Sequence, residues 1–158
     1  MDDFALTPAE RALFQALHRR GVPFLIVGIG AAALQGAPLV TQDLDVWFER
    51  VHDDERIRQA AADAGGFWIS GFGSQPPAFG GAGLDRIDVV LTVHGLDPFA
   101  AEYARAVQRE VDGVPLQILS LDRVIVSKRA LNRAKDAAQL PALEATLLAR
   151  DRSDSGSK

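Results

Sequence analysis

Asp43-Leu44-Asp45-Val46-Trp47-Phe48 decides how this chain is read. Alternate side chains of a strand share a face, so the two carboxylates project side by side while Leu44, Val46 and Phe48 project together on the opposite face. Like charges held that close raise one another's pKa unless a cation lies between them. Hard divalent ions such as Mg²⁺ favour carboxylate oxygens and keep positions open for substrate phosphates. The pair therefore reads as half of a metal site.

Upstream, Phe24-Leu25-Ile26-Val27 is a short apolar run of strand formers, broken by Gly28-Ile29-Gly30 and followed by a helix-friendly stretch, Ala31 to Gln35, that stops at Gly36. This predicts a strand, a tight turn and a helix with a bare N-terminus. Such an end offers unpaired N–H groups to a phosphate, and glycine lets the backbone come close. Downstream, Asp88 sits in the β-branched run Ile87-Asp88-Val89-Val90, with Asp85 at its mouth. A strand-borne Asp-x-Asp can also be the solvent side of an edge strand, and Gly28 can be a plain helix-entry turn. The flanks argue for a site: Leu44, Val46, Phe48, Ile87 and Val89 would share a buried face, leaving Asp43, Asp45 and Asp88 together on the other.

In order and spacing these segments resemble the nucleotidyltransferase superfamily, which shares its core with DNA polymerase beta. Within it the chain looks most like the small bacterial abortive-infection toxins and minimal nucleotidyltransferases. The matching features are the glycine turn, the run Thr41-Gln42-Asp43-Leu44-Asp45-Val46, the third acid Asp88, and Ser127-Lys128-Arg129-Ala130-Leu131 followed by Arg133-Ala134-Lys135-Asp136. The resemblance implies an α+β fold, a mixed β-sheet flanked by helices with further helices at the C-terminus. It implies a transferase moving a nucleoside monophosphate from an NTP to an acceptor hydroxyl on RNA, protein or a small molecule. Two Mg²⁺ ions would be held by Asp43, Asp45 and Asp88, which are also the catalytic set. Gly28, Gly30, Thr41, Lys128 and Lys135 would bind substrate, and a cognate toxin or antitoxin protein is an implied partner. Two residues depart from the family pattern: Ile29 replaces a small residue after Gly28, and Leu39 replaces an arginine before the acids. They favour the alternative, a degenerate member that keeps the fold as a binding or antitoxin-like partner. The full set of acids opposes it, because unpaired buried carboxylates are costly.

Composition fits a single domain over residues 1–150: 158 residues, 47% hydrophobic and 24% charged, suffice for one sizeable core. The absence of cysteine excludes disulfides and thiolate metal sites, and His18, His52 and His94 are too scattered for zinc, which leaves oxygen ligands. Met1-Asp2-Asp3 lacks the order of a signal peptide and no run is long enough for a membrane span, so a cytoplasmic protein is expected. A net charge of -4 argues against binding nucleic acid by bulk charge. The exception is a basic cluster of Arg123, Lys128, Arg129, Arg133 and Lys135, which reads either as a face for a triphosphate or polynucleotide or as a solvated helix surface.

Other elements follow from local signals. Thr7-Pro8-Ala9-Glu10 is a capping box that opens a helix ending at Gly21. Residues 53–64 read as a polar helix, 67–69 as a strand, and 71–83 as an irregular loop, either a flap offering Phe72 or Phe79 to a base or a plain surface loop. Residues 98–106 read as helix. Residues 106–111 and 114–119 read as a hairpin around Asp112-Gly113. Helices then run from Ser120 or Asp122 to Leu131 and on to about Arg150, the last buried through Leu140, Leu143, Leu147 and Leu148. Residues 151–158 read as a disordered tail.

Overall fold

Thr7 closes a capping box at the first helix: its Oγ1 accepts from the Glu10 N–H while the Glu10 carboxylate accepts from the Thr7 N–H. The computed structural model in which this is seen describes residues 4–52 and 54–156. In chain order the elements are α1 (Pro8–Arg19), β1 (Phe24–Val27), α2 (Gly28–Leu34), β2 (Leu44–Phe48), α3 (Glu55–Asp63), β3 (Phe67–Ile69) and β4 (Ala78–Gly80), then β5 (Ile87–Val90), α4 (Phe99–Ala104), β6 (Val107–Val111), β7 (Val114–Ile118), α5 (Leu121–Leu131) and α6 (Ala134–Gly156).

Five strands form one sheet in the order β5-β2-β1-β7-β6. β1 runs antiparallel to β2 and parallel to β7, β5 joins β2 in parallel, and β6 joins β7 as a hairpin. Asp112 and Gly113 both take positive φ, 52° and 81°, the conformation a two-residue hairpin turn needs and Asp-Gly supplies. The central strand β1 is buried along its whole length, as a strand covered on both faces must be. Helix α1 packs on α3, α2 on α5 and α5 on α6. The result is the α+β architecture with a mixed, helix-flanked sheet that the sequence predicts. No helix among the described residues is long and apolar enough to cross a membrane.

Two buried polar groups brace this arrangement. The capping carboxylate of Glu10 also receives Arg86 Nε at 2.6 Å, which ties α1 to the residue just before β5. The Gln35 amide donates to the carbonyls of Ala31 and Leu119, and its oxygen accepts from the Leu121 N–H and from Arg150 on α6. A buried amide with every polar atom partnered specifies position without a desolvation penalty left over.

The structure corrects several expectations. Helix α2 begins at Gly28 itself, so Gly28-Ile29-Gly30 is its first turn and not a separate loop. The stretch read as irregular contains β4, paired antiparallel with β3, and it buries Phe79 against Trp68 and Phe48. Phe72 alone of the two candidate stacking rings is exposed. Helix α6 continues through 151–156, where a disordered tail was expected; residues 157–158 lie outside the described residues, as do Asp53 and residues 1–3. Leu143 is fully buried on α6 and Leu140 and Leu147 are partly so, but Leu148 faces solvent.

Candidate active site

Strands β2 and β5 are in parallel register, with Leu44 opposite Ile87, Asp45 opposite Asp88 and Val46 opposite Val89. Leu44, Val46, Ile87 and Val89 are all buried, so the sheet turns Asp45 and Asp88 to the other face as cross-strand neighbours. Asp45 is half-buried and Asp88 exposed. Asp43 lies exposed just before β2. The Thr41 hydroxyl shapes its backbone, donating to the Asp43 carbonyl at 2.6 Å and accepting from the Asp43 N–H at 3.2 Å. Thr41 thus sets the approach of the chain to Asp43 and otherwise lines a separate cleft with Leu39, Val40 and Arg86.

Gly28 stands against Asp45. Its φ is +68°, a region that side chains disfavour, and a Cβ there would lie 2.8 Å from Asp45 Oδ2. Glycine at this position makes room for a carboxylate. Gly30 has a different role: it is buried, and a Cβ there would lie 3.1 Å from Leu44 Cδ1, so its smallness lets α2 settle onto β2. The structure brings Gly28 to the acids and leaves Gly30 in the core.

Lys128 and Lys135 approach from the junction of α5 and α6. Asn132 ends α5 in the left-handed conformation, φ 51°, and the chain restarts as α6 at Ala134. Across this break Lys128 Nζ donates to Asp136 Oδ1 at 3.2 Å, and Arg133 reaches Asp136 through its backbone N–H and its guanidinium, the shortest contact being 2.6 Å. The Arg133 guanidinium first, and Lys128 with it, hold the fully buried Asp136 carboxyl well below the usual carboxylate range. Lys128 is itself buried, whereas Lys135 is exposed. Sequence reading missed Asp136 as an organiser of the site; an acid three residues after Arg133 and in the first turn of α6 was the available signal.

The field at the acids is unbalanced. Burial first, then the charges of Asp88 and Asp43, raise the Asp45 pKa, against a smaller opposing pull from Lys128 and Lys135. Partial loss of hydration and then Asp43 raise Asp88 as well. Asp43, Asp88 and both lysines therefore lie within electrostatic reach of Asp45. Beside Asp45 opens a cleft of about 350 Å³, lined by Val27, Val90, Leu119 and Val124 together with Gly28, His94, Lys128 and Arg133.

The fold has counterparts among known structures. ANT(2")-Ia in complex with adenylyl-2"-tobramycin superposes with a TM-score of 0.52 at 13% identity, covering 93% of this chain and 95% of that one. A solution structure of the antibiotic-resistance factor ANT(2'')-Ia gives 0.51 at 14% identity, with 94% of each chain covered. An antigenic nucleotidyltransferase-like protein from Paracoccidioides brasiliensis gives 0.53 at 15% identity, with 85% of this chain and 71% of that one covered. The chain has the nucleotidyltransferase fold. No protein-family model matches the sequence, and no curated protein sequence does.

The nucleotidyltransferase fold implies a divalent metal, and the acids fit one in part. Three carboxylates on and beside neighbouring strands, with Asp45 and Asp88 both raised, are a donor set that a hard cation would relieve. Yet among the described residues no three His, Cys, Asp or Glu side chains converge to hold one ion. Asp45 and Asp88 form a cross-strand pair, with Asp43 close enough for its charge to raise both. Asp43 stands ahead of the strand, where the ladder does not fix its side chain.

Proposed function

We propose that the protein is a magnesium-dependent nucleotidyltransferase, moving a nucleoside monophosphate from an NTP to an acceptor hydroxyl. The observation that carries this reading is the Asp45–Asp88 cross-strand pair backed by Gly28 and facing Lys128 and Lys135, set in this fold. Asp45 and Asp88, with Asp43 beside them, would hold the metal, two ions by the family resemblance. Bound there, magnesium would offset phosphate charge and position the α-phosphate. Asp88, the exposed member of the pair, takes the proton of the acceptor hydroxyl as its oxygen bonds to the α-phosphorus; the bond to the β-phosphate bridging oxygen breaks and pyrophosphate leaves. Gly28 gives the backbone clearance for a phosphate beside Asp45, and Lys128 and Lys135 offset triphosphate charge. ANT(2")-Ia, seen with an adenylylated aminoglycoside, supports a small-molecule acceptor; RNA and protein hydroxyls are the other classes, and a toxin–antitoxin pairing is a setting in which such transfer would operate.

The second reading is a fold-retaining partner protein without transfer activity, favoured by the unconverged acids and by Ile29 and Leu39. Thermal melts with Mg²⁺ and each NTP separate the two. The transferase reading expects a metal-dependent rise in melting temperature that disappears in Asp43→Ala, and transfer of radiolabel from an α-labelled NTP to some acceptor. No rise with any NTP, and no label in any fraction, would refute it.

A further inference from the structure

Helix α5 turns one face to the cleft beside Asp45: Val124, Ser127, Lys128 and Leu131 recur at helical spacing and all line it. Lys128 is engaged, donating to Asp136 and acting on the charge of Asp45. Ser127 is not. It is 7% exposed, and its hydroxyl makes no hydrogen bond among the described residues. A helical hydroxyl often turns back to the carbonyl four residues earlier, as Thr146 does to Ala142 at 2.7 Å, but Ser127 makes no such bond to Arg123. Thr92 and His94 line the same cleft, and both are exposed to water.

Burying a hydroxyl without a partner is unfavourable, and alanine would serve the packing and the helix better at that position. The hydroxyl is accounted for by a group that enters the cleft. The facing walls say which kind. Val27 at the end of β1, Val90 and Val93 on and after β5, and Leu119 after β7 are apolar, while Lys128 and Arg133 supply positive charge. This suits a ligand with an anionic part for the two cations and an apolar part, needing few hydrogen bonds, along α5. A sugar would bring several hydroxyls to one serine. A flat aromatic base brings apolar faces and a polar edge.

We propose that the base of the NTP lies in this cleft and that Ser127 is a specificity-determining residue, its hydroxyl bonded to the polar edge of the base. This rests on the transferase reading above only in taking the ligand to be an NTP. Calorimetric titration with Mg²⁺ and each of the four NTPs, and with inorganic tripolyphosphate, which carries the charge and no base, compares the parent with Ser127→Ala. The tightest NTP is expected to lose about 2- to 12-fold in affinity, with the loss uneven across the four, and tripolyphosphate to lose nothing. Without ligand, Ser127→Ala should melt at or above the parent temperature, because it removes a polar group that has no partner.

An unliganded variant that melts clearly lower would overturn the proposal by assigning the hydroxyl to the fold. The same loss with all four NTPs, or any loss with tripolyphosphate, would overturn it by moving the hydroxyl to the sugar or the phosphates. No loss with any NTP, or no affinity for any, overturns it as well. An NTP ranking that depends on Ser127 while no label reaches any acceptor supports the proposal and refutes the transferase reading. Label transfer by a Ser127→Ala variant that ranks the NTPs as the parent does refutes the proposal alone.

Discussion

Gly28→Ala tests whether the first residue of α2 is small because of Asp45. Alanine held at φ +68° costs about 1–2 kcal/mol. Its methyl group would arrive 2.8 Å from Asp45 Oδ2, closer than carbon and oxygen tolerate, so the carboxylate must swing off its rotamer at about 0.5–1.5 kcal/mol. The loss of glycine's freedom in the unfolded chain returns about 0.4–1 kcal/mol. The net loss is about 2 kcal/mol, or about 4–8 °C in melting temperature for a chain of this size. Urea and thermal melts should be run on Gly28→Ala in the parent and again in an Asp45→Ala background. With the carboxylate gone the steric part vanishes, and the cost of the alanine should fall by about 0.5–1.5 kcal/mol. Equal costs in the two backgrounds would show that Gly28 is not shaped around Asp45. No cost in either would show that the left-handed backbone is not required.

Three further outcomes are expected. Because Asp45 is raised by burial, Asp88 and Asp43, the folded state keeps its proton to higher pH than the unfolded state. The stability this gives is complete below the unfolded carboxylate range and is lost as pH rises through the folded value. Asp45→Asn should therefore melt above the parent at neutral pH, with the gap closing under acid; melts across pH check this. Asp136→Ala strands Lys128 as a buried, unpaired cation and should cost about 3–5 kcal/mol by urea titration, and clearly less in a Lys128→Met background. Asp136 is lowered, so its contribution is present above the unfolded carboxylate pKa and fades as pH falls below it. Phe79→Ala should cost about 3–5 kcal/mol, whereas Phe72→Ala should stay within about 0.5 kcal/mol, which chemical denaturation of the pair resolves.

Features written in adjacent residues were legible in the sequence. The capping box at Thr7 and Glu10, the Asp112-Gly113 hairpin and the burial alternation of β5 each depend on neighbours a few residues apart. β4 was missed because Ala78-Phe79-Gly80 follows two prolines and precedes more glycine, so its local propensity is that of a loop; pairing with β3 and the Trp68 ring override it. Gly30 was misread for a related reason, since a glycine that admits a neighbouring Leu44 and one that admits a phosphate have the same sequence signature. Lys128 was visible as a cation, but its capture by Asp136 depends on how the chain reverses at Asn132. Tertiary packing settles that geometry, not spacing.

Helix α6 carries Lys135 near one end and Arg150 near the other, about 22 Å of helical rise apart with Pro141 between them. The first sits within the field of the acids, and the second is hydrogen-bonded to Gln35, which in turn grips the end of α2 and the entry to α5. Helix α6, packed on α5, therefore runs from the neighbourhood of the acids to the amide that joins α2 and α5. Loss of that one amide would unfasten three sequence-distant segments at once, the far end of α6 among them.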